Sequence, residues 1–358
     1  MSVELTSADL RAAVQAGYLT EIQAAQVQAL AAQRIVGRPA PDDEPFEMFR
    51  GFSEIFISVG LVILMTGLLG VSALMGSPLT VAGACVVLSV ALAQYFTIRR
   101  RMVLPSIVLV CAYGAAAGAL IWWFAFSALL NRMELHSITV IAQFLIMAAL
   151  VLWYCVFRLP FTMLLIGLSG VVLAIALIAP SDIYDFMSGV DMARVLSLTS
   201  GSGVGVATLG AGLVLAAVAL RFDMRDPYRL GRASASAFWL DLVAAPAIVN
   251  ALGQTAMAME GGARLLAMAL VLLVMAFYAL VIDRRSFLTA GLGYLAWLIW
   301  VFGHRDGNGL DWPVILILIG GAVTALGAWW VPLRAALMRA LPRFPGKTRL
   351  PPYAKGDL

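Results

Sequence analysis

Ten apolar runs of about 20 residues follow one another along this chain, and they constrain its fold more than any other feature. A helix rises 1.5 Å per residue, so about 20 residues cross the roughly 30 Å hydrocarbon layer of a membrane. Only 12% of the residues are charged, about half the usual share in soluble domains. The runs predict an all-α polytopic integral membrane protein with spans near 52–75, 78–97, 103–129, 137–157, 160–180, 197–220, 236–257, 264–282, 286–302 and 312–331.

The distribution of cations orients these predicted spans. The chain has 24 Lys and Arg residues. With ten spans, only Arg132, Arg194, Arg264 and Arg305 fall on one side, and the other 20 fall on the side that also holds both ends of the chain. Because short cytoplasmic loops are enriched in Lys and Arg, both termini are predicted to be cytoplasmic.

Residues outside the runs form three further segments. Residues 1–37 are predicted to form a cytoplasmic helical hairpin, in which Gly17 ends the first helix and Thr20 caps the second. Residues 38–51 form a Pro-rich acidic linker, and 52–331 form the ten-helix transmembrane domain. Residues 332–358 form a basic Pro-rich cytoplasmic tail, of which residues 341–358 are expected to be disordered near the lipid surface. The hairpin either docks a cytoplasmic partner or rests on the membrane surface or the bundle.

The hairpin also carries a resemblance. Its sequence LRAAVQAGYLTEIQAAQVQAL, residues 10–30, combines a leucine-containing helix, the turn AGYLT and an alanine- and glutamine-rich helix. Followed by a run of spans, it resembles bacterial multi-pass inner-membrane proteins with an N-terminal cytoplasmic helical hairpin, a family defined as a domain of unknown function. The resemblance implies a bacterial inner (plasma) membrane and transfers no active site.

Small residues indicate where helices pack closely. Helices in lipid gain little from hydrophobic burial against one another and associate where small residues let backbones approach. Gly114 and Gly118 in the third run, and Gly201, Gly205 and Gly203 in the sixth, are predicted packing positions. Packing within the chain is the first interpretation, and a homo-oligomer is the alternative.

The seventh run contains the polar residues that lipid tolerates least. Asp241 is a carboxylate inside a span, and Pro246 gives no N–H to the carbonyl of Leu242, so a kink is predicted there. Asn250 and Gln254 share a face further along. We expect a central helix, with transport or proton coupling at these residues. A structural hydrogen bond of Asp241 to residues 234–236 is the alternative.

Three other polar side chains have structural interpretations. Gln94 and Gln143, alone in the second and fourth runs, are predicted to hydrogen-bond between helices. Glu54 is predicted to pair with Arg50, one helical turn before it.

The function classes that remain are few. No catalytic constellation, metal motif or cofactor motif is present, and the basic balance is explained by anionic lipid rather than nucleic acid. We therefore expect no enzyme, metal or cofactor. The first hypothesis is a secondary transporter or exporter of a small solute. The alternative is a non-transporting membrane scaffold or sensor, which binds a cytoplasmic or envelope protein. An intramembrane enzyme has no residues to support it.

Overall fold

The computed structural model divides the chain into two compact units, Met1–Pro45 and Phe46–Leu358. It describes residues 10, 13–14, 16–20, 23, 27, 52–75, 78–129, 133–182, 189, 192–226, 232–285, 317, 320–321, 324–342 and 346–351. The predicted linker, residues 38–51, lies outside these residues.

In the first unit, the turn of the predicted hairpin is well defined. Gly17 has a φ of +75°, and the Tyr18 N–H donates to the carbonyl of Ala13 at 2.9 Å. The Thr20 N–H donates to Gln23 Oε1 at 3.0 Å, and the Gln23 N–H donates to Thr20 Oγ1 at 3.3 Å. This reciprocal pair is a capping box. The predicted roles of Gly17 and Thr20 are confirmed.

The described part of the second unit is mainly helical. The main helices are α1 Phe52–Met75, α2 Pro78–Ala93, α3 Leu104–Leu129, α4 Leu135–Phe157, α5 Thr162–Ile178, α6 Gly203–Asp223, α7 Arg232–Met257, α8 Gly261–Ile282 and α9 Trp330–Ala340. Helices α1 to α8 coincide with the first eight apolar runs, whereas the ninth run and about half of the tenth lie outside the described residues. A π-helical segment, Gln94–Arg99, extends α2, and a one-turn helix, Met192–Leu196, precedes α6.

Five of the described helices are long enough and apolar enough to cross a membrane. They are Leu79–Arg99, Leu104–Leu129, Leu135–Phe157, Gly203–Asp223 and Arg232–Met257. Three shorter apolar helices accompany them, at Phe52–Leu68, Thr162–Ile178 and Leu266–Ile282. The chain is therefore a helical membrane protein.

Helix α7 is the centre of this bundle. It packs against α5, α6 and α8, and its closest association is with α6. Within the spanning window of α7, 61% of the residues are buried, against 22% to 39% in the other four long helices. The prediction that the seventh run is a central helix is confirmed.

Neighbouring helices alternate in direction, which brings their polar ends together. Tyr154, near the end of α4, and Ser236, near the start of α7, hydrogen-bond through their hydroxyls at 3.1 Å. Asp182, just after α5, accepts hydrogen bonds at the opposite end from the Ser202 hydroxyl and the Gly203 N–H, where α6 begins. We call the first of these the arginine-rich end, because its helix termini and turns carry the exposed residues Arg99, Arg100, Arg101, Arg158, Arg221, Arg225 and Arg232.

Glu54 connects two helices at the arginine-rich end. It is 4% exposed, and its Oε2 accepts the backbone N–H groups of Val103 at 3.2 Å and Leu104 at 3.3 Å. These N–H groups have no partner inside α3, and a negative charge at a helix N-terminus is favourable. Glu54 therefore caps α3 from α1. Its predicted partner Arg50 lies outside the described residues.

Four of the five predicted packing glycines face another part of the chain. A Cβ on Gly114 would lie 3.4 Å from Leu150, and one on Gly118 would lie 3.8 Å from Ile146, both on α4. A Cβ on Gly203 would lie 2.9 Å from the Ala179 Cβ. On Gly205 it would lie 2.6 Å from the carbonyl oxygen of Leu196. Two close approaches of α6 are thus at its N-terminal turn.

Gly201 is a correction to the packing prediction. It precedes α6 and has a φ of +78°, and no atom lies within 4 Å of the position that a Cβ would take. It permits the turn before the Ser202 cap rather than a helix contact. The sequence reasoning also missed Gly212, where a Cβ would lie 2.8 Å from Ile248 on α7. Its spacing of four from Thr208 and Ala216 is the signal that could have identified it.

The two buried-amide predictions have different outcomes. Gln143 donates to the Ser169 hydroxyl at 2.8 Å and to the Ser169 carbonyl at 3.1 Å, which connects α4 to α5 as predicted. Gln94 is exposed at the start of the π-helical segment, so the prediction of an interhelical contact is wrong there.

The C-terminal region also departs from the prediction of disorder. Helix α9 continues to Ala340, with Arg334 buried. Further on, Leu350 and Pro351 are buried as well. The prediction is wrong for residues 346–351, because a buried arginine holds this segment by its backbone.

Candidate functional site

Five charged side chains are buried together at the arginine-rich end, and we call them the ionic cluster. Each is at most 3% exposed. They come from the end of α6, the third turn of α7, the end of α8 and the middle of α9. The members are Asp223, Asp241, Asp283, Arg284 and Arg334.

Arg284 is held mainly by Asp223. Its Nε donates to Asp223 Oδ2 at 3.0 Å, and its Nη2 donates to Asp223 Oδ1. Nη2 also donates to the carbonyl of Ser234 at 2.7 Å and to the Ser234 hydroxyl at 3.0 Å. Asp223 is the last residue of α6, where the helix dipole disfavours a negative charge. A bidentate arginine compensates both that dipole and the burial of the carboxylate.

Asp241 is the second carboxylate beside this arginine. It is 1% exposed, and its Oδ2 lies 3.9 Å from Arg284 Nε. Tyr278 on α8 interacts electrostatically with both Asp241 and Asp223. One guanidinium therefore lies between two carboxylates from neighbouring helices, bonded to one and within ion-pair distance of the other.

The turn after α8 directs two charges of the cluster inward. Asp283 has a φ of +59°, in the left-handed region that usually ends a helix at glycine. The Arg284 N–H then donates back to the carbonyl of Ala279 at 2.9 Å. In this turn Asp283 Oδ1 accepts Trp330 Nε1 at 2.8 Å and lies 3.4 Å from Arg334 Nε. Asp283 thus ties the end of α8 to α9.

No known protein family matches this chain, and no curated protein or solved structure is similar to it. The site is therefore interpreted from its own geometry.

The chemistry open to the cluster follows from its composition. A carboxylate can bind a proton or a cation, whereas a guanidinium keeps its charge and can bind an anion. Either group can also exchange one ion-pair partner for another. Within the described part of the chain, no three His, Cys, Asp or Glu side chains are grouped so as to hold a metal ion. Since a charge inside a membrane is costly unless it is paired, such clusters are candidates for a functional site.

The residues predicted on α7 do not all meet in one place. Helix α7 runs without interruption through Pro246. Asn250 and Gln254 are half-buried, and they follow Asp241 by nine and 13 residues, or about 14 and 20 Å along the axis. The structure brings Asp241 into the ionic cluster and leaves the two amides further along α7, toward the other end of the bundle.

The sequence reasoning missed most of the cluster. Asp223 was not identified, and Arg284 and Arg334 were counted among the cytoplasmic cations. A signal was present in RFD at 221–223 and DRR at 283–285, which place opposite charges at the same end of neighbouring runs. The alternative partners predicted for Asp241 were Ser234 and Ser236. In the structure Ser234 binds Arg284, and Ser236 binds Tyr154.

Proposed function

We propose that this chain is a ten-span protein of a bacterial inner membrane, with both termini in the cytoplasm, and that it transports a small solute as a secondary transporter or exporter. The cation distribution supports this orientation. The alternating ends of α4 to α8 are consistent with it. On this threading the ionic cluster lies at the cytoplasmic end, and Asn250 and Gln254 lie toward the outside.

The observation that carries the proposal is the burial of Asp241 beside Arg284. Asp241 lies on the most buried helix, five residues before a proline, at 1% exposure. A structural ion pair at a helix end needs one carboxylate for each arginine, and Asp223 already supplies it. A second carboxylate within 3.9 Å gives Arg284 an alternative partner. Transporters use such exchanges to couple an ion to a change of conformation.

The proposed coupling is an exchange of Arg284 between two acids. With Asp241 protonated, Arg284 stays on Asp223 and holds α6, α7 and α8 together. When Asp241 loses its proton, it competes with Asp223 for the guanidinium of Arg284. This competition weakens the link that Arg284 makes between Asp223 on α6 and Ser234 on α7. The other charges of the ionic cluster are Asp283 and Arg334, and Tyr278 on α8 interacts electrostatically with Asp241 and Asp223.

A thiol-accessibility experiment tests for a solute path without knowledge of the solute. Cys85, Cys111 and Cys155 are replaced by alanine, and single cysteines are introduced as Asn250→Cys and Gln254→Cys. A membrane-impermeant maleimide labels thiols only where water reaches them. We expect both positions to be labelled in vesicles. Because maleimide reacts with the thiolate, whose fraction rises with pH, each rate is divided by the rate for free glutathione at the same pH. We expect this ratio to change with pH and to lose that dependence in Asp241→Asn.

Val214→Cys is the matched control, because Val214 is 63% exposed on α6 and faces lipid rather than water in the proposed orientation. If Asn250→Cys and Gln254→Cys are labelled no faster than Val214→Cys, α7 lines no aqueous path and the transport proposal is wrong.

Proton release tests the coupling directly. Purified protein is reconstituted in liposomes that contain a pH-sensitive dye, and a panel of small amines, sugars and organic acids is added. We expect at least one solute to move protons in the wild type and in Glu260→Gln, whose carboxylate is exposed before α8. Asp241→Asn should abolish that signal. An equal signal in Asp241→Asn would remove Asp241 from the mechanism.

A second candidate function is a membrane scaffold or sensor. Its support is that Met1–Pro45 forms a compact unit of its own, with a capping box at the start of its second helix. Deleting residues 1–45 distinguishes the two functions. A scaffold loses its cytoplasmic partner and its cellular effect, whereas a transporter keeps proton-coupled solute movement in liposomes.

A further inference from the structure

A segment near the C-terminus, residues 346–351, folds back onto the arginine-rich end, and we call it the strap. Gly346 has a φ of +94°, and a Cβ there would lie 3.2 Å from Met224 Sδ, just after α6. Leu350 is 6% exposed. A turn and one buried leucine thus bring the strap against the helix that supplies Asp223.

The strap is held by the ionic cluster itself. Arg334 Nη2 donates to the carbonyl of Pro351 at 2.7 Å. The same guanidinium donates through Nε to the carbonyl of Leu280 at 3.2 Å and lies 3.4 Å from Asp283. One buried arginine on α9 therefore joins the strap to the end of α8.

The described contacts of the strap include the charged hydrogen bond from Arg334 to the Pro351 carbonyl, one from Lys347 Nζ to the carbonyl of Leu341 at 2.7 Å, and the burial of Leu350 and Pro351. Opposing them is the conformational entropy of six ordered residues. Release of the strap breaks the bond to Pro351, whereas Arg334 keeps its contacts with Leu280 and Asp283.

We propose that the strap is a reversible latch, which covers the ends of α6 and α8 when it is docked and admits water to the ionic cluster when it is released. Arg334 positions it by binding the Pro351 carbonyl. The latch would regulate access to these charges in a transporter or in a sensor, so it does not depend on the transport proposal.

The test compares two substitutions at adjacent positions of the strap. Leu350→Asn places an amide in the buried site and releases the strap, whereas Arg349→Asn makes the same change at an exposed position. The reporter is Met224→Cys on the cysteine-free protein in detergent, because a Cβ on Gly346 would lie 3.2 Å from Met224 Sδ. We expect Leu350→Asn to raise its labelling rate about tenfold or more, from the cost of burying an amide, and Arg349→Asn to leave it unchanged.

Two further measurements separate local release from unfolding. Ala142→Cys, fully buried in a separate cluster with Ala125 and Ile138, should remain unlabelled in all variants. Removal of residues 346–358 should reproduce the effect of Leu350→Asn. The latch is wrong if neither Leu350→Asn nor the truncation raises the labelling rate of Met224→Cys. It is also wrong if Arg349→Asn has the same effect, or if Ala142→Cys becomes reactive in parallel.

Discussion

Arg284 is buried at an end of the bundle whose other arginines are mostly exposed, and it faces two carboxylates. Its guanidinium is 1% exposed and makes four hydrogen bonds to Asp223 and Ser234. Removing one partner of a buried pair leaves the other as an uncompensated charge, which costs more than the intact pair contributes. Replacing Arg284 alone is therefore expected to cost more stability than replacing both members of the pair.

We expect Arg284→Ala to destabilise the protein by about 3–5 kcal/mol, because it leaves Asp223 and Asp241 buried without their shared cation. Arg221→Ala is the control at an exposed position in the same helix turn as Asp223, and it should change stability by less than about 0.5 kcal/mol. Thermal unfolding of the purified protein in detergent measures both. Equal effects would mean that Arg284 does not compensate the two acids.

A combined substitution tests whether Asp241 shares Arg284. If Asp223 were the only partner, Asp223→Leu with Arg284→Met would restore most of the stability lost in Arg284→Ala, since apolar residues often replace a buried pair without cost. We expect the double variant to remain destabilised by about 1–3 kcal/mol, and Asp241→Asn added to it to recover that loss. Full recovery in the double variant would show that Asp241 draws no stabilisation from Arg284.

This buried network could not be predicted from the sequence, although its components are visible there. Asp223 and Arg284 are 61 positions apart in the sequence, and their pairing depends on how α6, α7 and α8 pack. A count of cations between spans treats each arginine as exposed, so it orients the chain but does not reveal that Arg284 and Arg334 are buried. Asp241 was identifiable alone, because a carboxylate inside an apolar run is unusual whatever it contacts.

At the scale of the helices, most of the fold was predictable because lipid imposes length and polarity on every span. Eight described helices coincide with predicted runs. The start of α6 was less predictable. It begins at Gly203 rather than 197, because Ser202 accepts the Val204 N–H at 3.2 Å and Asp182 accepts from Ser202 and Gly203. A cap supplied by another segment is not visible in the spacing of apolar residues.

The glycines of α6 offer a prediction with a control in the same helix. In Gly205→Ala the new Cβ would lie 2.6 Å from the Leu196 carbonyl oxygen, a backbone atom that cannot move aside alone. We expect a loss of about 1–3 kcal/mol from overpacking. In Gly210→Ala nothing lies within 4 Å, so stability should be unchanged or slightly higher. Apparent melting temperatures in detergent measure the difference, and equal values would contradict the close contact at α6.

At the scale of the whole molecule, the threading decides which side of the membrane the ionic cluster and the strap face. Contacts in the structure place the ends of α4, α6 and α8 beside the start of α7. Which compartment this end faces comes from the cations alone, through the preference of Lys and Arg for cytoplasmic loops. The orientation is therefore a prediction with a direct test.

Reporter fusions measure that orientation. We expect green fluorescent protein joined after Leu358 to be fluorescent, because it folds in the cytoplasm. Alkaline phosphatase is active only where its disulfides form, outside the inner membrane. Joined after Gly189, between α5 and α6, it should be active, and joined after Arg101, between α2 and α3, it should be inactive. Activity after Arg101 with none after Gly189 would invert the bundle, and the cluster of Asp223, Asp241 and Arg284 would then open toward the outside of the cell.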